Sequence, residues 1–479
     1  MSLVEAFERF LEVLGWITIV YFLIINAITI LIISASFIHH RRQKRHQSSV
    51  ELGQLFHSEL NLPVSIIVPA YREELTIAES VKNLLNLRYP NFEVVVVSDG
   101  SPDRTLSVLR DTFDLRSVPE EVPGLIPTKA VRRVYRSPAY PQLMVIDKEN
   151  GGKADANNVG INAARNPYVL AIDADSILEE DSILKMVRPF IEDSRVIAVG
   201  GMIRIVNGCD VKLGRVVGVD MPQSMLARFQ MVEYLRAFLF GRMGWSAINS
   251  LLVISGAFGA FRRDVMIDCG GFRKGSLGED MELVVSMHDL MRQRREPYRI
   301  VFTPDPVCWT EVPEDLKVLR RQRLRWQKGT IDAMIKFRRI LFNPKYGAAG
   351  MLGFPYYLFV ETLSAPFEIL GYLIFAACIL TGHLNMKFYL LFSFASVVLG
   401  IIQSIMVLLL EEIGFRTYPK ISHLARLIFY AVIENFGYRQ LNVWWRFWAI
   451  IDKIRGGGHE WGVMTRKGFG GAKPAPATS

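Results

Sequence analysis

The hydrophobic pattern changes character twice along the chain. From Val13 to Ile38 no charged residue occurs, a run longer than the roughly 20 residues that carry a helix across a hydrocarbon core. From Val64 the apolar runs become short and alternate with amphipathic ones. Val64-Ser65-Ile66-Ile67-Val68-Pro69 is followed by helical spacing over 73–87 and then by Glu93-Val94-Val95-Val96-Val97-Ser98. The alternation continues with a strand from Leu143 to Asp147, a helix over 152–164, a strand at Tyr168–Ile172, a helix from Asp181 and a strand from Val196 to Gly200. Strand, helix, strand in repetition predicts a parallel sheet with crossover helices, a Rossmann-like α/β fold.

Beyond Pro313 a basic helix is predicted, and then the long apolar pattern returns. Phe388 to Leu410 contains no charge and predicts a second span. The stretch Leu363–Gly382 crosses only by carrying Glu368 inside, with Glu361 seven residues earlier on the same helical face. Such acids either line a path for a polar substrate or sit near the headgroups. Ala348–Phe359 is amphipathic and suits the interface. Leu424–Ile454 is broken by Glu434-Asn435-Phe436-Gly437-Tyr438-Arg439, so it predicts two half-helices returning to the basic side, with one full crossing as the alternative. The divisions expected are 1–45, a membrane helix with its basic flank; 60–300, the α/β domain; 301–346, interface helices; 347–455, the second membrane region; and 456–479, a tail whose Ala- and Pro-rich end is expected to be disordered.

Composition narrows the class. The 479 residues are 50% hydrophobic, which accommodates a soluble core and membrane helices together. The net charge of +9 is concentrated beside the apolar runs, as in His39-His40-Arg41-Arg42-Gln43-Lys44-Arg45-His46. That placement suits an anionic lipid bilayer, and no nucleic-acid motif accompanies it. By the positive-inside rule the cluster is cytoplasmic, with Met1 outside and the α/β domain in the cytoplasm of a multi-pass protein of the cell membrane. The first apolar run is too long for a signal-peptide core and no small-residue cleavage site follows, so it is expected to be retained. Cys209, Cys269, Cys308 and Cys378 have neither disulfide nor zinc spacing and are expected to be buried thiols.

Candidate chemistry gathers where the strands end. Tyr168-Val169-Leu170-Ala171-Ile172 runs into Asp173-Ala174-Asp175, two carboxylates at the carboxyl edge where open α/β sheets bind ligands. The pair suits a divalent metal shared with a diphosphate, or it caps the following turn. Pro69-Ala70-Tyr71-Arg72-Glu73-Glu74 and Ser98-Asp99-Gly100-Ser101 end the first two strands. Asp99 can accept from a nucleobase, although Asp-Gly is also an ordinary turn. Lys153 and Asp155 follow Gly151-Gly152 at a helix start, facing phosphate or acting as caps. Ser255-Gly256-Ala257-Phe258-Gly259-Ala260 reads as a small-residue loop. Gly278-Glu279-Asp280 opens a helix, where an acid is either functional or a dipole-stabilised cap. Gln322-Arg323-Leu324-Arg325-Trp326 offers a guanidinium and an aromatic suited to pyrophosphate and sugar. No G-x-G-x-x-G follows the first strand, which disfavours dinucleotide binding.

The ordered set V-P-A-Y-x-E-E, S-D-G-S, K-A-D-A-x-N, D-A-D, S-G-A, G-E-D and Q-x-x-R-W resembles the family-2 inverting membrane glycosyltransferases, among them cellulose, hyaluronan and, most closely, bacterial poly-N-acetylglucosamine synthases. Arg72 departs from the family's usual Asn. The resemblance implies a GT-A fold with flanking membrane and interfacial helices, a UDP-sugar donor and Mg²⁺ or Mn²⁺ held by Asp175. It implies Ala70, Tyr71, Glu73, Asp99, Lys153, Asp155 and Asp173 at the nucleotide and diphosphate, joined by Gln322, Arg325 and Arg466. It implies Asp280 as general base, and Ser255, Gly256, Glu279 and Trp326 at the acceptor. The expected reaction extends an exported β-linked polysaccharide, with UDP-N-acetylglucosamine as donor; single transfer to a membrane lipid and a non-catalytic scaffold are the alternatives. A small accessory membrane subunit or a second copy of the chain is an expected partner. Trp461 and Arg466, after Gly456-Gly457-Gly458, resemble the gating loop of hyaluronan synthases, or belong to a basic tail that touches anionic lipid.

Overall fold

The computed structural model describes residues 3–47, 61–212, 214–382, 386–415 and 420–457. They fall into two compact units, one of residues 61–223 and 253–312, the other of residues 3–47, 224–252 and 313–457.

The first unit is built on a ten-stranded sheet. Its strands are β1 (Val64–Ala70), β2 (Phe92–Asp99), β3 (Arg116–Val118), β4 (Val131–Arg136), β5 (Leu143–Lys148), β6 (Tyr168–Ile172), β7 (Ile177–Leu178), β8 (Val196–Ile205), β11 (Phe258–Arg262) and β12 (Arg299–Thr310), while β9 (Asp210–Lys212) and β10 (Arg215–Gly218) form a separate hairpin. The spatial order is β3-β4-β5-β2-β1-β6-β11-β8-β12-β7. The middle four, β5-β2-β1-β6, are parallel and buried on both faces, which is why they read as unbroken Val and Ile runs. The sheet is mixed rather than all parallel. β3, β4 and β5 run antiparallel, and β11 lies antiparallel between β6 and β8.

Two expectations about this unit are corrected. The expected loop from Ser255 to Ala260 is a loop only as far as Ala257, because Phe258-Gly259-Ala260 enters the sheet as β11. The expected boundary at 300 cuts through β12, which pairs with β8 along its length, and residues 224–252 belong with the membrane helices. Those residues contain Leu235–Gly241, a π-helical turn within an otherwise helical run that carries apolar and polar side chains all round.

The helix Lys153–Ala163 packs on β1 and β2 with nearly every residue buried, its polar ones included. Asn158 Nδ2 donates to Phe272 O at 2.7 Å and its Oδ1 accepts from Phe272 N at 2.8 Å. Asn162 does the same to Ile126, at 2.8 and 2.9 Å. Two of its buried amides are thereby satisfied on main-chain groups, while the Oδ1 of Asn157, between them and the helix start, finds no partner among the described residues.

In the second unit the helix Leu3–Gln47 contains one candidate span, Glu12–Ile38, and Tyr389–Gly414 is another. Ala349–Thr362 and Ser364–Leu380 are bent by 41° against each other. The bend separates Glu361 from Glu368, so the two acids do not share one helical face as expected. Glu368 is buried and pairs with Arg439 Nη2 at 3.1 Å and Tyr372 OH at 2.6 Å, whereas Glu361 stays half exposed near Arg446. The final apolar region is broken as its charges predict, into Ile421–Ile433 and Tyr438–Ile454. The interrupting Glu434 is buried and meets Arg236 at 2.5 Å. Of the four cysteines only Cys308 is fully buried. Burial nonetheless pushes the Cys209 thiol up and that of Cys269 to about 12, which leaves both as protonated thiols at neutral pH.

The core between β8 and β11 has room for no side chain at Gly201, where an added Cβ would overlap the Phe258 ring. Gly201→Ala should therefore lower stability by about 1–3 kcal/mol, read as a lower unfolding temperature of the detergent-solubilised protein at unchanged expression.

Candidate active site

Parallel pairing sets the site, because β1, β2 and β6 end on one edge of the sheet. That edge carries Ala70-Tyr71, Asp99 and Asp173 within one register. The loops after β1 and β2 are laced together. Arg72 N donates to Ser101 Oγ at 3.0 Å, Glu73 N to Thr105 Oγ1 at 2.9 Å, and Arg104 N to Glu74 Oε2 at 3.0 Å. Glu73 also accepts from Thr76 Oγ1 at 2.8 Å, while Tyr71 is exposed at the surface beneath the Arg72 guanidinium.

Asp99 is buried, and both of its oxygens are engaged inside the protein. Oδ1 accepts from Lys148 Nζ at 2.5 Å and Gly151 N at 2.9 Å, and Oδ2 from Gly152 N at 2.7 Å and Asn150 Nδ2 at 3.3 Å. A carboxylate offers about four acceptor positions, so this one is filled. Gly100 makes the turn feasible, since its φ is +60° and a Cβ there would stand 2.7 Å from Asn150 N. Asp155 also faces inward rather than toward a ligand. It is fully buried and binds Lys148 Nζ at 2.8 Å and Lys274 Nζ at 2.5 Å. Burial by itself raises its pKa, but the hydrogen bonds from Lys148 and Lys274 and from Lys129 N outweigh that and hold the carboxyl below the usual carboxylate range.

Lys153, Asp173, Gly256 and Asp280 come together. Lys153 Nζ pairs with Asp173, and Asp280 Oδ2 accepts from Gly256 N at 3.2 Å. A Cβ on Gly256 would stand 3.3 Å from Lys153 Nζ and 3.8 Å from Asp280 Oδ2, so the absent side chain keeps a gap between carboxylate and ammonium. Asp280 Oδ1 also accepts from Met281 N at 2.8 Å in the first turn of the helix Glu279–Arg294, where the helix dipole favours an acid. Ser255 is partly exposed beside Gly256, and Glu279 is buried.

Asp175 is buried two residues beyond Asp173. Its hard carboxylate oxygens suit Mg²⁺ or Mn²⁺. Among the described residues no group of three or more His, Cys, Asp or Glu is placed to hold an ion.

In the second unit, the helix Leu316–Lys336 starts on an Asp315 cap that accepts from Lys317 N at 2.8 Å and Val318 N at 3.1 Å. Gln322 is buried, while Arg325 and Trp326 are partly exposed. The clamped guanidinium of the motif is that of Arg323. It is buried, donates to Glu233 Oε2 at 2.8 Å and lies 4.5 Å from the Trp326 ring centre, and Tyr438 OH donates to the same Glu233 oxygen at 2.9 Å. Trp461 and Arg466 lie outside the described residues, as does the tail from 471 to 479.

Lys148, Lys274, Arg323 and Glu233 were not singled out by the sequence. The one signal for Lys148 was a lysine closing an apolar strand, Leu143-Met144-Val145-Ile146-Asp147-Lys148.

The chain thus combines a mixed α/β sheet that gathers acids on one edge with two helices long and apolar enough to cross a membrane. Residues 65–123 match the model "Glycosyl transferase family 2" and residues 127–329 match "Glycosyltransferase like family 2". The chain belongs to glycosyltransferase family 2, and its α/β domain has the GT-A fold. Curated relatives include the poly-beta-1,6-N-acetyl-D-glucosamine synthases of Staphylococcus aureus, 28% identical over 276 residues, and Staphylococcus epidermidis, 26% identical over 276 residues. Each alignment covers 57% of this chain and 56% of the relative, so the chain spans about half the length of the curated relatives it matches. Among solved structures, the mannosyltransferase PcManGT of Pyrobaculum calidifontis, in complex with GDP-Man and Mn²⁺, overlays with a TM-score of 0.49 at 19% identity, covering 86% of this chain and 99% of that one. Staphylococcus aureus TarS 1–349 in complex with UDP-GlcNAc gives 0.37 at 16% identity, covering 82% and 92%.

Arg72, where the family has Asn, holds a left-handed φ of 58°. Asn tolerates that region far better than Arg. Arg72→Asn should raise the stability of the protein by about 1 kcal/mol, measured as a higher unfolding temperature; an unchanged or lower value means that the strain is relieved elsewhere.

Proposed function

We propose that the chain transfers a sugar from a UDP-sugar, UDP-N-acetylglucosamine first among them, to the end of a growing β-linked polysaccharide at the membrane, with inversion at the anomeric carbon. The observation that carries the reading is the meeting of three motifs distant in sequence. Lys153 pairs with Asp173, and both stand beside Gly256, whose amide holds Asp280. An ammonium, a strand-end acid and an acid from the first turn of a helix thus come together at one small-residue gap. The names of the curated relatives, poly-beta-1,6-N-acetyl-D-glucosamine synthases, support the choice of sugar and of polymer.

The residues divide the work by their chemistry. Asp280 takes the proton of the acceptor hydroxyl as its oxygen attacks the anomeric carbon, and the bond to the diphosphate oxygen breaks with its electron pair leaving on UDP. A single displacement turns an α-linked donor into a β-glycoside. Ala70, Tyr71, Glu73 and the loop organised by Asp99 receive the nucleotide. Lys153 answers the diphosphate charge, and Asp173 orients Lys153. Asp175 is the ligand for a divalent ion, which when bound offsets charge on the departing UDP. Ser255, Gly256 and Glu279 shape the acceptor side. The roles implied for Gln322, Arg325 and Trp326 at the diphosphate and the acceptor sugar, and for Trp461 and Arg466 as a closing loop, are kept on their chemistry.

The test is the purified chain in nanodiscs with a panel of UDP-sugars and metals, following UDP release and product mass together. Ladders of polymer support the proposal, one glycolipid replaces the polymer by a lipid acceptor, and no UDP release with any donor sinks it. Asp280→Asn should keep UDP binding while lowering turnover by roughly 10²-fold or more, and near-normal turnover removes Asp280 as base. Asp175→Ala should remove the response to added Mg²⁺ or Mn²⁺ along with activity, and a wild-type enzyme indifferent to chelator excludes the metal role.

A further inference from the structure

The transfer chemistry leaves one buried cluster unused. Lys148, the last residue of β5, is 0% exposed. Its ammonium meets Asp99 Oδ1 at 2.5 Å, Asp155 Oδ2 at 2.8 Å and Glu149 O at 2.5 Å. An ammonium has three protons to donate, and all three are taken. Asp155 binds Lys274 Nζ at 2.5 Å through its other oxygen and accepts from Lys129 N at 3.2 Å. Two carboxylates and two ammoniums therefore alternate as Asp99–Lys148–Asp155–Lys274, the first three buried and Lys274 reaching in from the surface, so that the buried charges are balanced, the condition under which they persist.

The two ends of this chain lie in different parts of the site. At one end Asp99 gathers the amides of Gly151 and Gly152, and Lys153 follows directly. The place of the ammonium opposite Asp173 is set by that turn. At the other end Lys274 belongs to the segment that leads into Glu279-Asp280. Phe272 in that segment is held by Asn158, and Ser276 donates to the buried Glu282 at 2.6 Å. Lys274 links this segment to the Asp99 end through its ion pair with Asp155.

We propose that Lys148 is a positioning residue for the donor side of the site and Lys274 one for the base, the two acting through a shared Asp155. The inference rests on the UDP-sugar reading above. Loss of the Lys148 charge frees the 149–152 turn and with it Lys153, which weakens the donor. Loss of the Lys274 charge loosens the segment before Asp280 and slows the chemical step while the nucleotide loops stay in place.

The experiment compares Lys148→Met and Lys274→Met in the full chain in nanodiscs. It measures UDP affinity by calorimetry, and kcat and donor KM by UDP release. Lys148→Met should weaken UDP binding and raise donor KM by about tenfold with a smaller change in kcat, and Lys274→Met should lower kcat by about tenfold with UDP affinity kept within about twofold. Lys148→Met leaves two buried carboxylates short of a counter-charge, so Lys148→Met/Asp155→Asn is made beside it to restore folding, with the same loss of UDP affinity expected. A folded Lys148 variant, single or double, that binds UDP as the wild type does overturns the proposal. So does a Lys274→Met protein whose defect lies in donor KM, or a pair of variants that lose kcat and KM in the same proportion, as a general loss of structure would give. A wild type that fails to bind UDP defeats the UDP reading instead, which keeps the two failures apart.

Discussion

A lysine ammonium withdrawn from water under the ligand edge is the constraint on which the α/β unit depends. A buried charge is tolerable only if its protons all find acceptors and its neighbours return an equal charge. Lys148 meets the first condition with Asp99, Asp155 and Glu149 O, and Lys274 supplies the second. Those demands fix the end of β2, the end of β5, the start of the helix Lys153–Ala163 and the segment before Asp280 relative to one another. The parallel pairing of β1, β2 and β6 then delivers the remaining acids to the same edge.

The same logic recurs in the helical unit. Glu368 with Arg439, Glu434 with Arg236 and Arg323 with Glu233 are each drawn from segments far apart in sequence. Asn26 joins in by amide rather than charge, donating to Ala395 O at 2.9 Å and accepting from Gln403 Nε2 at 2.8 Å. Charges that interrupt an apolar stretch are therefore the points at which its helices recognise one another. An unpaired partner among apolar surroundings costs far more than the pair.

What the sequence made legible follows from what periodicity can carry. The parallel strands, the two long apolar helices and the break at Glu434-Gly437 each leave a local signal, and all are present. β3, with three residues, and β4, whose Arg132 and Arg133 are exposed, carry too little apolar alternation to announce themselves. β11 was hidden because Gly259 and Ala260 look like loop while serving close packing against β8. Within the site, residue type was legible and partner was not. Asp155 and Asp99 look like ligand-facing acids until Lys148 and Lys274 are seen to occupy them, and Arg323 is indistinguishable from Arg325 until the helix shows which one turns inward.

Asn158 and Asn162 engage only the main-chain N–H and C=O of Phe272 and Ile126. A side-chain amide that imitates a neighbouring strand is indifferent to which residue its partner is. The main-chain part of the anchorage therefore does not depend on residue type at 126 and 272, and it acts beside the burial of both side chains and the Lys274–Asp155 pair. Substitutions at 126 and 272 are in this way constrained by the space around each side chain and not by the hydrogen bonds, which any residue with a free main-chain N–H supplies equally.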